Sequence, residues 1–398
     1  MRRSTIIFGP PGTGKTFRLL EILEQKLDEK VDPKDICFIT FTRRGTAEAK
    51  SRAFKKFGFV PEEMNLWRTI HSLAFRQMGL RSSMMIQLSD YEEFGEFVHI
   101  HIKGTDPYEE AFIPGIPTGN RMLFIENLSR LKEEPLRKTY EDVKEDEISW
   151  SELEDVAKKY KQYKTSRGIL DFTDVLAKFT SDYYISKFPR IDSLIIDEAQ
   201  DLSSLQWTIV NKLSTRTEVI YVAGDDDQAI YEWAGADVNQ FQGFPGDHEI
   251  LKQSYRLPRE VSQLGNSVVS KINHRTPKQY KDTGNQGAVN WILDEEEVDL
   301  SSGSWLLLGR NDYHLRRYKT LCEMWSITPG KRVRISTIHG AKGAEADNVL
   351  LTTDMSKRCW DSMIENPDPE LRVWYVGITR TRNEINVLRP RTRYNFEL

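Results

Sequence analysis

The chain has 398 residues, of which 39% are hydrophobic and 29% are charged. This length is too great for one ordinary domain and predicts two or three, and the composition is typical of a folded protein. Cys37, Cys322 and Cys359 form no CxxC pair, which excludes a cysteine-rich zinc site and favours a reducing cytoplasm. No apolar run is long enough to cross a membrane. The net charge of −4 does not suggest nucleic acid, so evidence for such a partner must be local.

The first predicted elements are a short strand at residues 5–8 and a helix with an apolar face through residues 19–27. The loop between them matches GxxxxGK[ST] and consists of Gly9, Pro10, Pro11, Gly12, Thr13, Gly14, Lys15 and Thr16. A strand, a glycine-rich loop and a helix in this order are the context of a P-loop, whose N–H groups surround phosphates. Lys15 then reaches the β- and γ-phosphates, and Thr16 holds Mg²⁺. A simple glycine-rich turn is the alternative, and the Lys-Thr pair argues against it.

The next informative element is an apolar run at residues 194–196 that ends in Asp197 and Glu198. Such a run is typical of a buried parallel strand, and ligands bind beyond the carboxyl ends of these strands. We therefore expect Asp197 to bind Mg²⁺ through water and Glu198 to polarise the attacking water. The alternative is an acidic helix start.

A third strand is predicted at residues 219–223, directly before a glycine, three aspartates and Gln228. A glutamine at this point can sense a γ-phosphate and orient water. The three aspartates could also form a solvated turn. Beyond residue 255, apolar runs alternate with helical patterns, which predicts a second parallel sheet. The runs are residues 305–308, 333–338, 349–352 and 385–388.

These segments and several others resemble the motifs of UvrD/Rep-type superfamily 1 helicases and keep the order of that family. The matching segments are residues 39–44, 69–71, 168–176, 197–201, 224–235, 253–256, 337–343 and 375–380. The resemblance covers nearly the whole chain, from residue 6 to about residue 388. Any one segment is a moderate signal, whereas the ordered set is specific.

The resemblance implies an α/β fold of two RecA-like P-loop NTPase lobes with parallel sheets, plus a small, mainly helical insertion in the first lobe. Residues 1–76 and 166–250 would form the first lobe, and residues 251–398 would form the second. Residues 77–165 would form the insertion, which contains a Pro- and Gly-rich stretch at 112–119 and could act as a wedge that splits a duplex.

The resemblance also implies an ATP-hydrolysing site that needs Mg²⁺. Arg256 and Arg380 would reach the γ-phosphate, where arginines supply much of the charge stabilisation in phosphoryl transfer. Tyr255 would stack on the adenine, and Glu345 would approach the nucleotide. With the P-loop, Asp197, Glu198 and Gln228, these residues complete the expected catalytic and nucleotide-binding set.

The family resemblance implies that single-stranded and tailed duplex DNA are the partners. Single strands are bound by aromatic stacking beside a positive groove. The candidate contacts are Phe41, His71, Tyr231, Trp233, Arg310, His339 and Lys342. For Trp233 the alternative is packing in the core, and for Phe41 the two interpretations are evenly balanced. We expect a cytoplasmic monomer, in the host cytoplasm if the compact size indicates a phage protein, with any replication or repair partners unknown.

The sequence departs from the family in three informative ways. No glutamine-containing motif precedes Gly9, which leaves adenine specificity open. Ala234 follows Trp233 where relatives commonly carry an arginine. Only about twenty residues separate Arg310 from the 337–343 motif, where relatives often carry a large accessory domain.

Three functions remain open at this point. The first is an ATP-dependent DNA helicase that moves 3′ to 5′ along single-stranded DNA. The second is a DNA-dependent ATPase that translocates or strips proteins without robust unwinding, which Ala234 and the short second lobe motivate. The third is an ATP-gated interaction module without turnover, against which the complete catalytic set argues. RNA as the track is also open, since no feature reads a 2′-hydroxyl.

Overall fold

A computed structural model describes residues 3–104 and 116–398. These residues form two compact units. The first unit contains Leu20–Val222, Tyr231–Gly246 and the described residues up to Thr5. The second contains Ile6–Leu19, Ala223–Ile230 and Asp247–Leu398. The three-part domain division drawn from the sequence stays a prediction.

One sheet has six strands in the order β3-β2-β4-β5-β1-β6. The strands are β1 Arg3–Phe8, β2 Ile36–Ile39, β3 Trp67–Arg68, β4 Ile191–Ile196, β5 Thr217–Gly224 and β6 Asp247–Ile250. β2 pairs with both β3 and β4 in parallel, and Cys37 lies opposite Leu194. Strands β1, β4 and β5 confirm the three strands predicted in this half of the chain.

The described residues that precede β6 also form eleven helices, α1 to α11. They are α1 Lys15–Asp28, α2 Arg43–Phe57, α3 Ile70–Gln77, α4 Leu88–Val98, α5 Thr118–Lys132, α6 Leu136–Val143, α7 Trp150–Arg167, α8 Phe172–Phe179, α9 Asp182–Lys187, α10 Ser204–Ser214 and α11 Val238–Gln242. Helices α4 to α7 share one core, in which Phe94, Ile125 and Leu153 are fully buried. This confirms that the stretch is mainly helical, whereas its bounds as an insertion, residues 77–165, stay a prediction. Residues 112–115 of its predicted Pro- and Gly-rich stretch lie outside the described residues.

The second sheet has five strands in the order β7-β11-β10-β8-β9. They are β7 Ala288–Ile292, β8 Trp305–Gly309, β9 Val333–Thr337, β10 Ala346–Thr352 and β11 Thr381–Leu388, with helices α12 Arg259–Val269, α13 Arg316–Met324, α14 Lys357–Glu365 and α15 Pro367–Ile378. Every neighbouring pair is parallel. Two parallel sheets confirm the predicted α/β class, and β8 to β11 confirm the predicted strands of this half. No helix in the described ranges is long and apolar enough to cross a membrane.

A buried group of charges holds the helical insertion to α8. Asp171 caps the start of α8 by accepting a hydrogen bond from the Asp174 N–H at 2.7 Å. It also accepts from Arg130 of α5 at 2.7 Å and from Lys164 of α7. Although burial alone would raise the pKa of Asp171, Arg130 and Lys164 hold it well below the usual range. Asp171 is only 2% exposed, so these contacts replace the water it has lost.

Asp171→Ala should lower the free energy of unfolding by about 3–5 kcal/mol, because it leaves buried cations short of a partner and removes a helix cap. Urea unfolding measures this loss. Lys159→Ala is the matched control, since its pair with Asp155 is solvent-exposed and should contribute only about 0.2–1 kcal/mol. A loss for Asp171→Ala no larger than for the control would contradict the assignment.

Candidate nucleotide and nucleic-acid site

The P-loop occupies the turn between β1 and α1. Thr13 donates its hydroxyl to the carbonyl of Pro10 at 2.7 Å, and the Lys15 ammonium donates to the carbonyl of Gly9 at 3.0 Å. A Cβ atom on Gly9 would lie 1.9 Å from Cγ of Lys15, so only glycine leaves room for the Lys15 side chain in this conformation. Helix α1 begins at Lys15, and its first N–H groups face this loop as a phosphate site requires. The loop residues therefore fit a nucleoside triphosphate.

The Ser254–Arg256 segment lies directly against the P-loop within the second unit. Ser254 donates its hydroxyl to the Pro11 carbonyl at 2.8 Å, and the Tyr255 N–H donates to the Gly12 carbonyl at 2.8 Å. Gly12 has φ +71°, and a Cβ atom there would lie 2.4 Å from Cβ of Arg256. The close approach and the left-handed backbone both require glycine. Tyr255 is 77% exposed, as a residue that stacks on a base must be.

Gln228 bonds to Arg380, another predicted catalytic residue, and to Asp225. Its amide nitrogen donates to Asp225 at 2.6 Å, and its amide oxygen accepts from the Arg380 guanidinium at 2.9 Å. Arg380 is itself 2% exposed and also donates to the Val376 carbonyl at 2.9 Å. The side chains of Gln228 and Arg380 are therefore held in one arrangement.

Glu345 connects Arg256 to the strand β11. Its carboxylate accepts from Arg256 at 2.6 Å and from Arg382. Burial raises the pKa of Glu345, but the two arginines outweigh it and the net direction is downward. Arg256 also donates to the Thr379 carbonyl at 3.4 Å. Thus Arg256, Glu345 and the Arg380 segment belong to one connected group.

Asp197 and Glu198 follow β4 in the first unit. The Asp197 N–H donates to the Ile39 carbonyl at 2.8 Å, and the Asp197 carboxylate accepts from the Glu198 N–H at 3.0 Å. Glu198 has φ +55°, a left-handed conformation that is unfavourable for a non-glycine residue and often marks a functional position. Gln200 donates to the Glu198 carboxylate at 2.6 Å. The loop thus fixes the direction of this carboxylate.

An aromatic row runs through the first unit and includes three of the predicted DNA contacts. The Phe41 and Tyr231 rings are stacked at 5.5 Å, Tyr231 lies 6.5 Å from Trp233, and Trp233 is stacked on Phe124 at 6.4 Å. Trp233 is 39% exposed, so its ring is not a buried core residue. The row offers flat apolar faces of the kind that stack on bases. Phe124, which completes the row, was not foreseen from the sequence.

The predicted contacts of the second unit lie against protein groups. Lys342 donates to the Gln228 carbonyl at 2.7 Å, and the His339 ring is 3.1 Å from the Ile230 carbonyl. Arg310 donates twice to Glu370, at 2.6 and 2.8 Å. These three side chains are thereby positioned within the unit, and their contact with DNA stays a prediction.

Family models match the chain over most of its length. The UvrD/REP helicase N-terminal domain matches residues 1–249, and the UvrD-like helicase C-terminal domain matches residues 311–388. The chain belongs to the UvrD/REP helicase family. This confirms the family resemblance stated from the motifs.

Curated relatives of this UvrD/REP helicase chain include the ATP-dependent DNA helicases PcrA of two staphylococci. The protein of Staphylococcus epidermidis is 29% identical over 299 residues, and that of Staphylococcus aureus is 28% identical over the same length. Each match covers 69% of this chain and 39% of the relative. The chain therefore spans about two fifths of the length of these relatives.

Among solved structures, the chain resembles the Arterivirus nonstructural protein 10 helicase. The sequence identity is 13% and the TM-score is 0.45, with 97% of this chain and 59% of the other covered. A complex of that viral helicase with DNA gives a TM-score of 0.43. Similarity this low supports no functional comparison.

Sequence reasoning missed the partners of the three aspartates that precede Gln228 in this UvrD/REP helicase chain. Asp225, Asp226 and Asp227 are at most 1% exposed, so they are not a solvated turn. The Lys278 ammonium contacts all three carboxylates, and Arg275 donates to Asp227 at 2.6 and 2.8 Å. Three adjacent acidic residues after a buried strand were a signal that cations must be near, but not which ones.

The described residues contain no group of three or more His, Cys, Asp or Glu side chains that could hold a metal ion. The donor set expected for Mg²⁺ in a P-loop protein is different, since it comprises a hydroxyl, water and phosphate oxygens beside one carboxylate. Thr16 and Asp197 fit that chemistry as residue types, so they remain the candidates.

His71 should titrate far below the usual range of histidine. Burial, with a smaller effect of Arg43, lowers the pKa of its ring to about 4, and the ring lies edge-on to Phe172 at 6.0 Å. An unfolded histidine titrates near 6.5, so below that pH the unfolded state binds the proton first. The stabilisation is therefore complete above about pH 6.5 and is lost as the pH falls to about 4.

NMR titration of His71, with His71→Gln for assignment, checks the pKa directly. Between pH 7 and pH 4 the wild type should lose about 2–3 kcal/mol more free energy of unfolding than His71→Gln. A His71 signal that titrates near pH 6.5 would contradict this expectation.

Proposed function

We propose that this chain is an ATP-dependent DNA helicase that hydrolyses ATP to move 3′ to 5′ along single-stranded DNA and to unwind duplexes. The observation that carries the proposal is the connected group in the second unit. Lys15, Gln228, Arg256 and Arg380 all lie in that unit. The P-loop contacts the Arg256 segment, and Gln228 contacts Arg380.

The proposed hydrolysis follows from charge and position. The P-loop N–H groups and Lys15 bind the phosphates, while Arg256 and Arg380 stabilise the negative charge that develops on the γ-phosphate. Gln228 orients the attacking water, and Glu198 polarises it. Mg²⁺, held by Thr16 and through water by Asp197, would neutralise phosphate charge. The exposed Tyr255 ring stacks on the face of the base. Such a contact does not depend on the hydrogen-bonding groups at the edge of the base.

The proposed track is single-stranded DNA on the aromatic row. Phe41, Tyr231 and Trp233 would stack on successive bases, and His71 would be a further contact in the first unit. Gln228 lies only a few residues before Tyr231 and Trp233 along the chain, which supports coupling between the γ-phosphate and the bases. Arg310, His339 and Lys342 would contribute from the second unit. We propose a monomer as the active form, and replication or repair proteins as the class of partner.

The second candidate is a DNA-dependent ATPase that translocates without robust unwinding. It is favoured by Ala234, which offers no charged side chain for coupling, and by the short connection between Arg310 and β9. Both candidates hydrolyse ATP by the same chemistry. They differ only in whether the protein separates the strands of a duplex, which a strand-displacement assay detects.

Glu198→Gln should reduce the kcat of DNA-stimulated ATP hydrolysis by about 100-fold or more, because the amide cannot accept a proton from water. The affinity for ATP should change little, since the phosphate contacts remain. A coupled phosphate-release assay with and without single-stranded DNA measures both. Absence of stimulation in the wild type, or full activity in Glu198→Gln, would refute the proposal.

Strand displacement on duplexes with a 3′ or a 5′ single-stranded tail should separate the candidates. The helicase should unwind the 3′-tailed duplex and leave the 5′-tailed one intact, in an ATP-dependent reaction. An ATPase that hydrolyses ATP on single strands but displaces neither duplex would establish the second candidate. RNA-tailed duplexes in the same assay test the nature of the track.

A further inference from the structure

The residues between α12 and β7 form a connecting segment, residues 273–283, that contacts three parts of the second unit. At its start, the N–H groups of Asn273 and His274 donate to Asp368 at 3.0 and 2.9 Å. At its end, the N–H of Lys281 donates to the Lys252 carbonyl at 2.8 Å, beside Ser254. In the middle lies Lys278, against the three aspartates.

Lys278 is buried among three carboxylates. Its side chain is 1% exposed, and its nitrogen lies 2.9 Å from Asp225 and 2.9 Å from Asp227, with Asp226 also in contact. An ammonium has three N–H donors, so one lysine can serve all three acids at once. A guanidinium distributes its donors over three nitrogens in one plane, whereas the ammonium presents them from a single atom.

The contact with Asp225 continues to the proposed catalytic groups. One Asp225 oxygen forms an ion pair with Lys278 at 2.9 Å, and the other accepts a hydrogen bond from Gln228 at 2.6 Å. Gln228 in turn accepts from Arg380 at 2.9 Å. The first link is an ion pair and the other two are hydrogen bonds, and all the groups are at most 6% exposed. The four side chains therefore form one connected polar network.

Arg275 provides an internal comparison. It neutralises the same acidic cluster, but its two hydrogen bonds go to Asp227 at 2.8 and 2.6 Å. Gln228 bonds to Asp225 and not to Asp227 among the described residues. Arg275 and Lys278 thus both neutralise the acidic cluster, whereas of the two only Lys278 forms an ion pair with Asp225, the acid that accepts from Gln228.

We infer that Lys278 is a positioning residue for ATP hydrolysis, which fixes Gln228 and through it Arg380 by way of Asp225. This inference rests on the proposed hydrolysis of ATP by this chain. Lys278 does not contact the nucleotide in this scheme. It acts by holding the Asp225 carboxylate at the orientation that the Gln228 amide requires.

The test compares Lys278→Met with Arg275→Gln. Lys278→Met should lower the kcat of DNA-stimulated ATP hydrolysis by about 10- to 100-fold, which is the usual scale for a misplaced catalytic group. The KM for ATP should stay within about 3-fold, because the P-loop contacts are intact. Arg275→Gln should lower kcat less than about 3-fold. Equal falls in kcat for the two variants would overturn the inference.

A double variant covers the case in which Lys278→Met fails to fold. Lys278→Met with Asp226→Asn removes one positive and one negative charge, so the charge balance of the cluster is kept. Asp226→Asn alone is its control and leaves the Lys278–Asp225 contact. The double variant should fold with near wild-type urea stability and still have a kcat reduced by about 10-fold or more. Recovery of kcat together with stability would show a purely structural role and overturn the inference.

Hydrogen exchange separates this inference from the proposed function. The N–H of Gln228 donates to the Asp225 carbonyl at 2.9 Å, and its exchange should be at least about 10-fold faster in the double variant than in Asp226→Asn. Unchanged exchange overturns the inference whatever the ATPase result. Faster exchange in a protein whose wild type hydrolyses no ATP would support the contact chain and refute the proposed function instead.

Discussion

The burial of three adjacent carboxylates directly before Gln228 is the constraint on which the second unit depends. Three such charges cannot lie together away from water unless cations are brought to them. Burial is the largest influence on Asp225 and raises the pKa of its carboxyl. Lys278 lowers this pKa, and Lys15 of the P-loop lowers it by a smaller amount. The P-loop, the strand end at Gly224 and the connecting segment 273–283 are therefore tied to one electrostatic requirement.

That requirement also explains why charged residues rather than apolar ones occupy this position. A hydrophobic core could hold the same segments together, but it would leave the Gln228 side chain free to rotate. Hydrogen bonds between ions have preferred directions, so the cluster fixes the orientation of an amide as well as the distance between segments. The second unit thus uses buried charge where orientation matters and apolar packing, as around Leu307, Tyr318 and Leu350, where only cohesion matters.

The sequence predicted most of the fold because most strands are continuous apolar runs. β4 ends in Leu194, Ile195 and Ile196, and β8 contains Leu306 and Leu307, each at most 3% exposed. Strands β2, β3, β6 and β7 were not predicted. β6 is largely polar and the residues of β7 are partly exposed, so neither has the apolar pattern that marks a fully buried strand. β3 has only 2 residues, whereas β2 is a buried apolar run of 4 residues that the prediction missed.

The candidate site was predictable only where its residues lie within motifs. Lys15, Gln228 and Arg380 could be named from local patterns, and the structure joins the last two. Lys278 could not be named, because nothing in its neighbourhood is periodic and its partners lie about fifty positions earlier in the chain. A contact between polar side chains so far apart in the chain produces no periodic pattern in one sequence. In the structure, the burial of Lys278 and its short distances to the three aspartates identify the contact.

The contact between the P-loop and the Ser254–Arg256 segment can form only after the ribosome has synthesised Arg256. Gly12 is made before its neighbour Arg256, which follows 244 positions later by their numbers (256 − 12). At the usual rate of about 5–20 residues per second, the glycine-rich loop exists for roughly 10–50 seconds before Arg256 is synthesised. During translation the loop therefore depends on local hydrogen bonds, such as that from Thr13 to Pro10, to hold its shape until the rest of its surroundings arrives.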